Sequence, residues 1–361
     1  MKGAVKTMKT LCGIRVGDLR DRDPNTCGKV GLVDLPFPEL GEEDIKIKVA
    51  YCAICGSDPH CVNGSFGQPK GDTTPIPLGH EVSGVIVELG PKATRKGLKV
   101  GDRVGGNFLK YCGTCYYCQN GQQQFCENFG PPHPGMAPYL IWNEEQVYKL
   151  PDSVSLKEGC LLEPVSVVVR LMDKCKVRPG QRVAVCGGGP IGLLALQSLS
   201  LAGATSLTLI EPIAQRRELG IKMGAAHVID PVNQSVVDAA MEITGGRGYD
   251  VVLDCSGSVH AVEALPCIAA KCGRVVYGAM YPNDYNMPFN IAKICYFNEL
   301  TITGSFCSPY AFPRAVQWIE RLDLSDFTNT VFDLDDGEQA FAAQMTGKYP
   351  KILIRCNPDL E

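Results

Sequence analysis

The segment Cys55-Gly56-Ser57-Asp58-Pro59-His60 places a thiol, a hydroxyl, a carboxyl and an imidazole side by side. Such a set can hold a metal ion and move a proton. Cys55 is a soft zinc ligand, and Asp58 can orient another ligand through its ring N–H. Ser57 can pass a proton, and His60 can release it to solvent because its pKa lies near neutrality. Two later segments add what is missing: an imidazole from Leu78-Gly79-His80-Glu81 and a carboxylate from Leu162-Glu163-Pro164. Cys55, His80 and Glu163 then read as three protein ligands of a catalytic zinc whose fourth position is open. The apolar neighbours Leu161, Leu162 and Val165 favour burial of Glu163, and a buried carboxylate needs a partner. Glu81 reads as a neighbour of the ion that could exchange with water or with Glu163, and Asp58 as the group that orients His80.

A second set of cysteines has a different logic. Cys112, Cys115, Cys118 and Cys126 follow the spacing Cys-x2-Cys-x2-Cys-x7-Cys. Four thiolates saturate a tetrahedral zinc and leave no room for a substrate, so this site is expected to be structural. It would order a polar lobe over residues 110–128 that includes Gln119, Asn120 and Gln122-Gln123-Gln124. An iron–sulfur cluster is the rival occupant. A nucleic-acid-binding ribbon is disfavoured, since Lys110 is the only base nearby. The chain carries 18 cysteines in all. In a long chain with no secretion signal these do not read as a disulfide framework; Cys186, Cys255 and Cys295 lie in apolar runs and read as small buried hydrophobes.

A third motif suits a dinucleotide. Gly187-Gly188-Gly189-Pro190-Ile191-Gly192 contains Gly-x-Gly-x-x-Gly in Gly187, Gly189 and Gly192. It follows the apolar run Arg182 to Cys186, suited to a buried parallel strand. It precedes a helix expected from Pro190 to about Ala202, opened by Pro190 and Ile191. The next apolar run, Leu207 to Ile210, ends at Glu211, 19 residues past Gly192. That is the context in which such glycines bind a pyrophosphate against a helix N-terminus. Glu211 would accept hydrogen bonds from ribose hydroxyls, and its charge would repel a 2′-phosphate. NAD is therefore expected over NADP, with Arg216 and Arg217 weighing the other way.

These residues need two frames to position them. At 361 residues the chain is expected to form two domains. The first half is β-rich: Ile45, Ile47 and Val49 alternate with Lys46 and Lys48, and Val85, Val87 and Leu89 repeat the pattern. From about residue 165 strands and helices alternate, with strands at 226–229, 251–254, 274–278 and 300–304 and helices at 235–243 and 259–270, as in a doubly wound sheet. A helix over 312–322 and a strand at 352–354 should return to the first domain. The net charge of −4 gives no support for nucleic-acid or anionic-membrane binding. No run is long and apolar enough to span a membrane, and Met1-Lys2-Gly3-Ala4-Val5-Lys6 has no signal-peptide core, so a cytoplasmic protein is expected.

Taken in order, Cys-Gly-Ser-Asp-x-His, Gly-His-Glu, the four-cysteine lobe, Glu-Pro and the Gly-rich turn resemble the zinc-dependent medium-chain dehydrogenases over essentially the whole chain. The branch it looks most like is that of sorbitol (L-iditol), xylitol and related polyol dehydrogenases. Glu163 stands where the long-studied alcohol dehydrogenases have a cysteine, and the ending Lys351-Ile352-Leu353-Ile354-Arg355-Cys356-Asn357-Pro358 is similar to theirs. Threonine and butanediol dehydrogenases share most of these motifs. One departure concerns the substrate. Animal sorbitol dehydrogenases carry an Arg-Tyr pair after Gly-x-Phe, whereas Gly304-Ser305-Phe306 is followed here by Cys307-Ser308.

The resemblance implies a GroES-like catalytic domain over 1–164 with 302–361 and a Rossmann domain over 165–301. It implies two zinc ions per chain, NAD, and hydride transfer between the cofactor and a secondary alcohol or its ketone, of polyol, sugar or cyclitol type. It further implies a homotetramer or homodimer, with neither nucleic acid nor membrane as a partner. A zinc-free quinone or enoyl reductase would not need Cys55, His80 and Glu163 together. A non-catalytic nucleotide-binding protein is the reading from another class.

Overall fold

In the strand Asp44–Ala53, Ile45, Ile47 and Val49 are almost wholly buried while Lys46 and Lys48 between them reach the surface edge. The alternation thus does what a pleated strand requires. The computed structural model describes residues 6–131 and 133–360. It divides into two compact units, Met1–Glu163 with Phe312–Glu361, and Pro164–Ala311.

In the first unit, Asp44–Ala53 lies inside a seven-stranded sheet. In order across the sheet, the strands are Val331–Asp333, Leu353–Arg355, Asp44–Ala53, Glu81–Leu89, Arg103–Gly106 and Val147–Lys149, and Tyr139–Asn143 pairs with Asp44–Ala53 off that path. A three-stranded sheet of Lys29–Pro36, Thr7–Arg15 and Ile76–Pro77 completes the β-structure. One apolar core joins them, with Trp142, Ile86, Leu78, Phe341 and Ile354 all nearly inaccessible. The helix Phe312–Ile319 belongs to this unit and stacks Phe312 on Tyr148, ring centres 5.1 Å apart.

The second unit is built on a six-stranded parallel sheet. Its order is His227–Ile229, Ser206–Ile210, Arg182–Cys186, Tyr249–Asp254, Ala269–Tyr277 and Thr301–Gly304. Buried Val183, Ala184 and Val185 make the middle strand an unbroken apolar run, as a sheet covered on both faces demands. The strand order reverses beside Arg182–Cys186, so the Gly-rich turn that follows it sits at the topological switch point.

Two expectations are corrected here. The helix expected from Val259 to Ala270 stops at Val262. Pro266 falls in the 3₁₀ turn Leu265–Ile268 and lacks the N–H that a helix interior needs, and the chain enters the strand Ala269–Tyr277 directly. The return to the first unit, expected at residue 302, comes at Phe312, because Thr301–Gly304 closes the parallel sheet against Ala269–Tyr277. No helix among the described residues is long and apolar enough to cross a membrane.

Candidate metal centres and dinucleotide site

Sheet register explains why distant residues meet. Ala53, at the end of its strand, pairs with Glu81 on one side and Leu353 on the other. The chain therefore leaves toward Cys55 just where it arrives from His80 and from Lys351. Asp58, in the short helix Ser57–Val62, ties the two ligand-bearing segments together. Its carboxylate accepts the Cys55 N–H at 2.8 Å and the Gly79 N–H at 3.1 Å. Gly79 has a positive φ of 88°, and a Cβ there would lie 2.5 Å from Met136 and 2.6 Å from the Cys52 sulfur. Only glycine lets the backbone turn there and present His80.

The ligand atoms of Cys55, His80 and Glu81 all lie within 4.8 Å of one another. The third member of this group is Glu81, which the sequence set beside the ion. Glu81 follows His80 directly and is gripped by Lys351, whose ammonium lies 2.7 Å from Oε1 and 2.6 Å from Oε2. Glu163 stands beside the cluster, in the first turn of the helix Leu162–Cys175. It is close enough for its charge to act on His80, and for His80, Glu81 and Lys351 to act on it. The His80 Nδ1 is 3.7 Å from Asp58 Oδ1, an ion-pair distance longer than a hydrogen bond. Asp58 thus positions His80 chiefly through the backbone at Gly79. Phe108 packs its ring on His80 at 4.6 Å.

The electrostatics of this corner favour a cation. Asp58, Glu81 and Glu163 are buried carboxyl groups, and the Lys351 ammonium is buried against Glu81. Burial pushes the Glu163 carboxyl up to about 7 against the pull of His80, and burial likewise raises Asp58. Burial opposes a charge on His80, yet Cys55, Asp58 and Glu163 hold its pKa well above the ordinary imidazole value. Burial also opposes the charge on Lys351, and Glu81 outweighs it. A thiol, an imidazole and crowded carboxyl groups form a donor set that fits zinc.

Ser57 and His60 are one helical turn apart. The Ser57 hydroxyl is 3.4 Å from His80 Nε2, and His60 Nδ1 is 3.4 Å from the Ser65 hydroxyl. No direct Ser57–His60 hydrogen bond occurs among the described residues, so a proton passing between them needs a bridging hydroxyl or water. Burial and the nearby charge of Arg20 lower the His60 pKa.

The sulfurs of Cys112, Cys115, Cys118 and Cys126 likewise lie within 4.8 Å of one another. Backbone N–H groups point at them: Cys115 at the Cys112 sulfur, 3.4 Å, and Cys112 and Asn128 at the Cys126 sulfur, 3.3 and 3.4 Å. Such donors, with that of Thr114, bring the Cys112 thiol down to about 6, while burial raises Cys118 to about 12.

In the second unit the Gly-rich turn is closely packed at two of its glycines and open at a third. Gly187 has a φ of 99° and a Cβ there would meet the Ser256 backbone at 2.9 Å; a Cβ on Gly192 would lie 1.9 Å from the Gly187 carbonyl oxygen. A Cβ on Gly189, at the N-terminus of the helix Pro190–Leu201, would meet nothing within 4 Å. That open cradle, at the start of a helix, fits a pyrophosphate. Glu211 is buried and already accepts from the backbone: Gly188 N–H on Oε2 at 2.6 Å and Ile213 N–H on Oε1 at 2.9 Å. Arg217 is engaged by Asp230 at 3.0 Å and by the carbonyls of Glu211 and Pro212. Arg216 sits nearer the turn, its Cβ 3.3 Å from where a Gly188 Cβ would stand.

Lys351 is the functional neighbour that residue spacing did not disclose. Its one signal is a lysine at the head of the apolar run Ile352-Leu353-Ile354, where a buried ammonium must find an acid.

A parallel sheet with a Gly-rich turn, joined in one chain to a β-rich unit bearing two metal-type clusters, defines a dinucleotide-dependent oxidoreductase architecture. Comparison with known proteins agrees. Residues 41–152 match the alcohol dehydrogenase GroES-like domain, and residues 190–321 the zinc-binding dehydrogenase domain. D-xylulose reductase A of Aspergillus oryzae is 33% identical over 340 residues, 90% of this chain and 93% of that one. D-arabitol-phosphate dehydrogenase of Enterococcus avium is 33% identical over 344 residues, 92% and 95% of the two chains. A zinc-binding-dehydrogenase-type structure from Sinorhizobium meliloti, solved with NADP, superposes with a TM-score of 0.83 at 29% identity, covering 97% of this chain and 99% of that one. The chain belongs to the zinc-dependent medium-chain dehydrogenase family, in its polyol dehydrogenase-like branch. It is an oxidoreductase that moves a hydride between an alcohol and a nicotinamide cofactor.

Proposed function

We propose that the protein interconverts a secondary alcohol of polyol, sugar or cyclitol type and its ketone, using NAD and two zinc ions per chain. The observation that carries this is the convergence of Cys55, His80 and Glu81, with the carboxyl groups of Asp58 and Glu163 buried beside them. Cys55, His80 and Glu163 would hold the catalytic zinc, with Glu81 retained by Lys351 and available to exchange. Cys112, Cys115, Cys118 and Cys126 would hold the second, structural ion. When bound, zinc supplies Lewis-acid polarisation of the alcohol oxygen, and the nicotinamide ring supplies the hydride acceptor. The chain's own residues handle the proton: Ser57 takes it beside His80, and His60 passes it outward. Gly187, Gly189, Pro190, Ile191 and Gly192 would cradle the pyrophosphate.

NAD is favoured over NADP because Glu211 brings a buried negative charge to the ribose end and Arg217 is committed to Asp230. Arg216 remains the residue that could reach a 2′-phosphate. A cytoplasmic location and a homotetrameric or homodimeric assembly belong to the same reading. The missing arginine after Phe306 keeps threonine- or butanediol-type alcohols as the second reading.

The test is a panel of polyols, cyclitols, butanediol and threonine offered to zinc-loaded protein with NAD and with NADP, followed by absorbance of the reduced cofactor. Turnover of a polyol or cyclitol with NAD is expected. Turnover confined to threonine or butanediol moves the assignment to the second reading, and no turnover of any alcohol refutes both.

A further inference from the structure

The hydrogen bonds around His60 decide which of its ring nitrogens carries the proton. The Ser65 N–H donates to Asn63 Oδ1 at 3.0 Å, which identifies that side-chain atom as the oxygen and not the amide nitrogen. The same Ser65 N–H also approaches the His60 carbonyl at 3.1 Å, so Ser65 is fastened back onto the helix that carries the imidazole. The Ser65 hydroxyl lies 2.6 Å from that same Asn63 oxygen. A carboxamide oxygen can only accept, so the single hydroxyl hydrogen of Ser65 is spent on Asn63. Toward His60 Nδ1, 3.4 Å away, the hydroxyl has only lone pairs to offer. The Nδ1 must be the donor.

We infer that Asn63 and Ser65 are positioning residues that hold His60 as the Nδ1–H tautomer, leaving the Nε2 lone pair as the only place where a proton from the Ser57 side can enter. The inference rests on the relay role of His60 given above. Both residues lie on the exposed turn that ends the helix Ser57–Val62. The charged group that acts on His60 is Arg20, from the segment after the strand Thr7–Arg15; it disfavours the doubly protonated ring, in which the distinction between nitrogens would vanish. Removing the acceptor on either link should free the ring. Ser65→Ala deletes the acceptor for Nδ1–H. Asn63→Ala releases the Ser65 hydrogen, which can then turn to Nδ1 and drive the proton to Nε2. Asn63→Asp keeps an oxygen in place and should preserve the tautomer.

The experiment is two-bond proton–nitrogen correlation on zinc-loaded protein labelled with 15N-histidine. The chain has five histidines, and the His60 signals are assigned by their loss in His60→Gln. The wild type is expected to show a pyrrole-like Nδ1 and a pyridine-like Nε2. Ser65→Ala and Asn63→Ala should each move the ratio about fivefold toward Nε2–H, the weight of one lost hydrogen bond; Ser65→Thr and Asn63→Asp should not. A wild type already dominated by Nε2–H, or Ser65→Ala signals unchanged from wild type, overturns the inference. Turnover measured on the same samples separates it from the relay reading. A several-fold fall in kcat at constant KM for Ser65→Ala, restored by Ser65→Thr, upholds both. A changed tautomer with unchanged turnover upholds the role of Asn63 and Ser65 and refutes His60 as the relay.

Discussion

Cys112, Cys115, Cys118 and Cys126 find one another within a single loop, while Cys55, His80, Glu81 and Glu163 are gathered from three separate stretches of the same unit. The loop cluster uses one donor type four times and surrounds its sulfurs with backbone N–H groups. The gathered cluster mixes thiol, imidazole and carboxylate, is walled by buried acids, and carries its own buried cation in Lys351. The difference teaches what each can do. Four equal thiolates close a tetrahedron and end the chemistry. A mixed set with a second carboxyl group alongside would leave room for a substrate oxygen and for exchange of ligands.

Breaking the gathered cluster should have the largest consequence. Cys55→Ala, or dialysis against a chelator, is expected to lower NAD-dependent alcohol oxidation on the order of 1,000-fold or more, the equivalent of several kcal/mol of lost charge stabilisation. Full turnover by a metal-depleted Cys55→Ala protein would show that the chemistry lies elsewhere. Lys351→Met comes next. It strands Glu81 as an unpaired buried carboxylate, which should cost about 3–5 kcal/mol in denaturant unfolding, with most of it recovered in the Glu81→Gln/Lys351→Met double variant. An unmoved midpoint would mean that the pair holds nothing in place.

Ser57→Ala should lower kcat by about 100-fold while leaving zinc content intact, as expected for loss of one proton-transfer group. A normal kcat would remove Ser57 from the reaction. In the second unit, Glu211→Ala is expected to weaken NAD about tenfold and to move the NAD/NADP preference toward NADP. It should also loosen the Gly-rich turn, since Gly188 loses its acceptor; an unchanged cofactor ratio would refute the charge argument. The smallest effect on turnover belongs to the loop cluster. Cys118→Ser should release one of about two zinc ions and speed hydrogen exchange over residues 110–128, with turnover per folded molecule changed by about twofold at most. A collapse of turnover in protein that remains folded would erase the contrast between the two sites.

What could be read from residue order alone follows the same divide. The four-cysteine lobe and the Gly-rich turn are legible because their partners are neighbours in the chain, and spacing alone carries their geometry. The alternation of Ile45, Ile47 and Val49 and the apolar run Val183-Ala184-Val185 announce their strands for the same reason. The competition between Glu81 and Glu163 was legible, but the grip of Lys351 on Glu81 was not, because the two lie 270 residues apart. That contact exists only because Leu353 and Glu81 flank Ala53 in the sheet. The role of Asp58 was half legible: its proximity to His80 was foreseen, its grip on the Cys55 and Gly79 backbone was not. The helix over 259–270 is cut short at Val262, ahead of Pro266 in the 3₁₀ turn Leu265–Ile268.

The claim at the centre is that residues from distant segments, and not the cysteine lobe, hold a zinc open to substrate. Zinc-edge X-ray absorption on the Cys112→Ser/Cys115→Ser protein, which should keep the gathered site alone, tests it most directly. One sulfur at about 2.3 Å with nitrogen and oxygen ligands near 2.0–2.1 Å is the predicted result. Absence of zinc, or a shell with more than one sulfur, would contradict it.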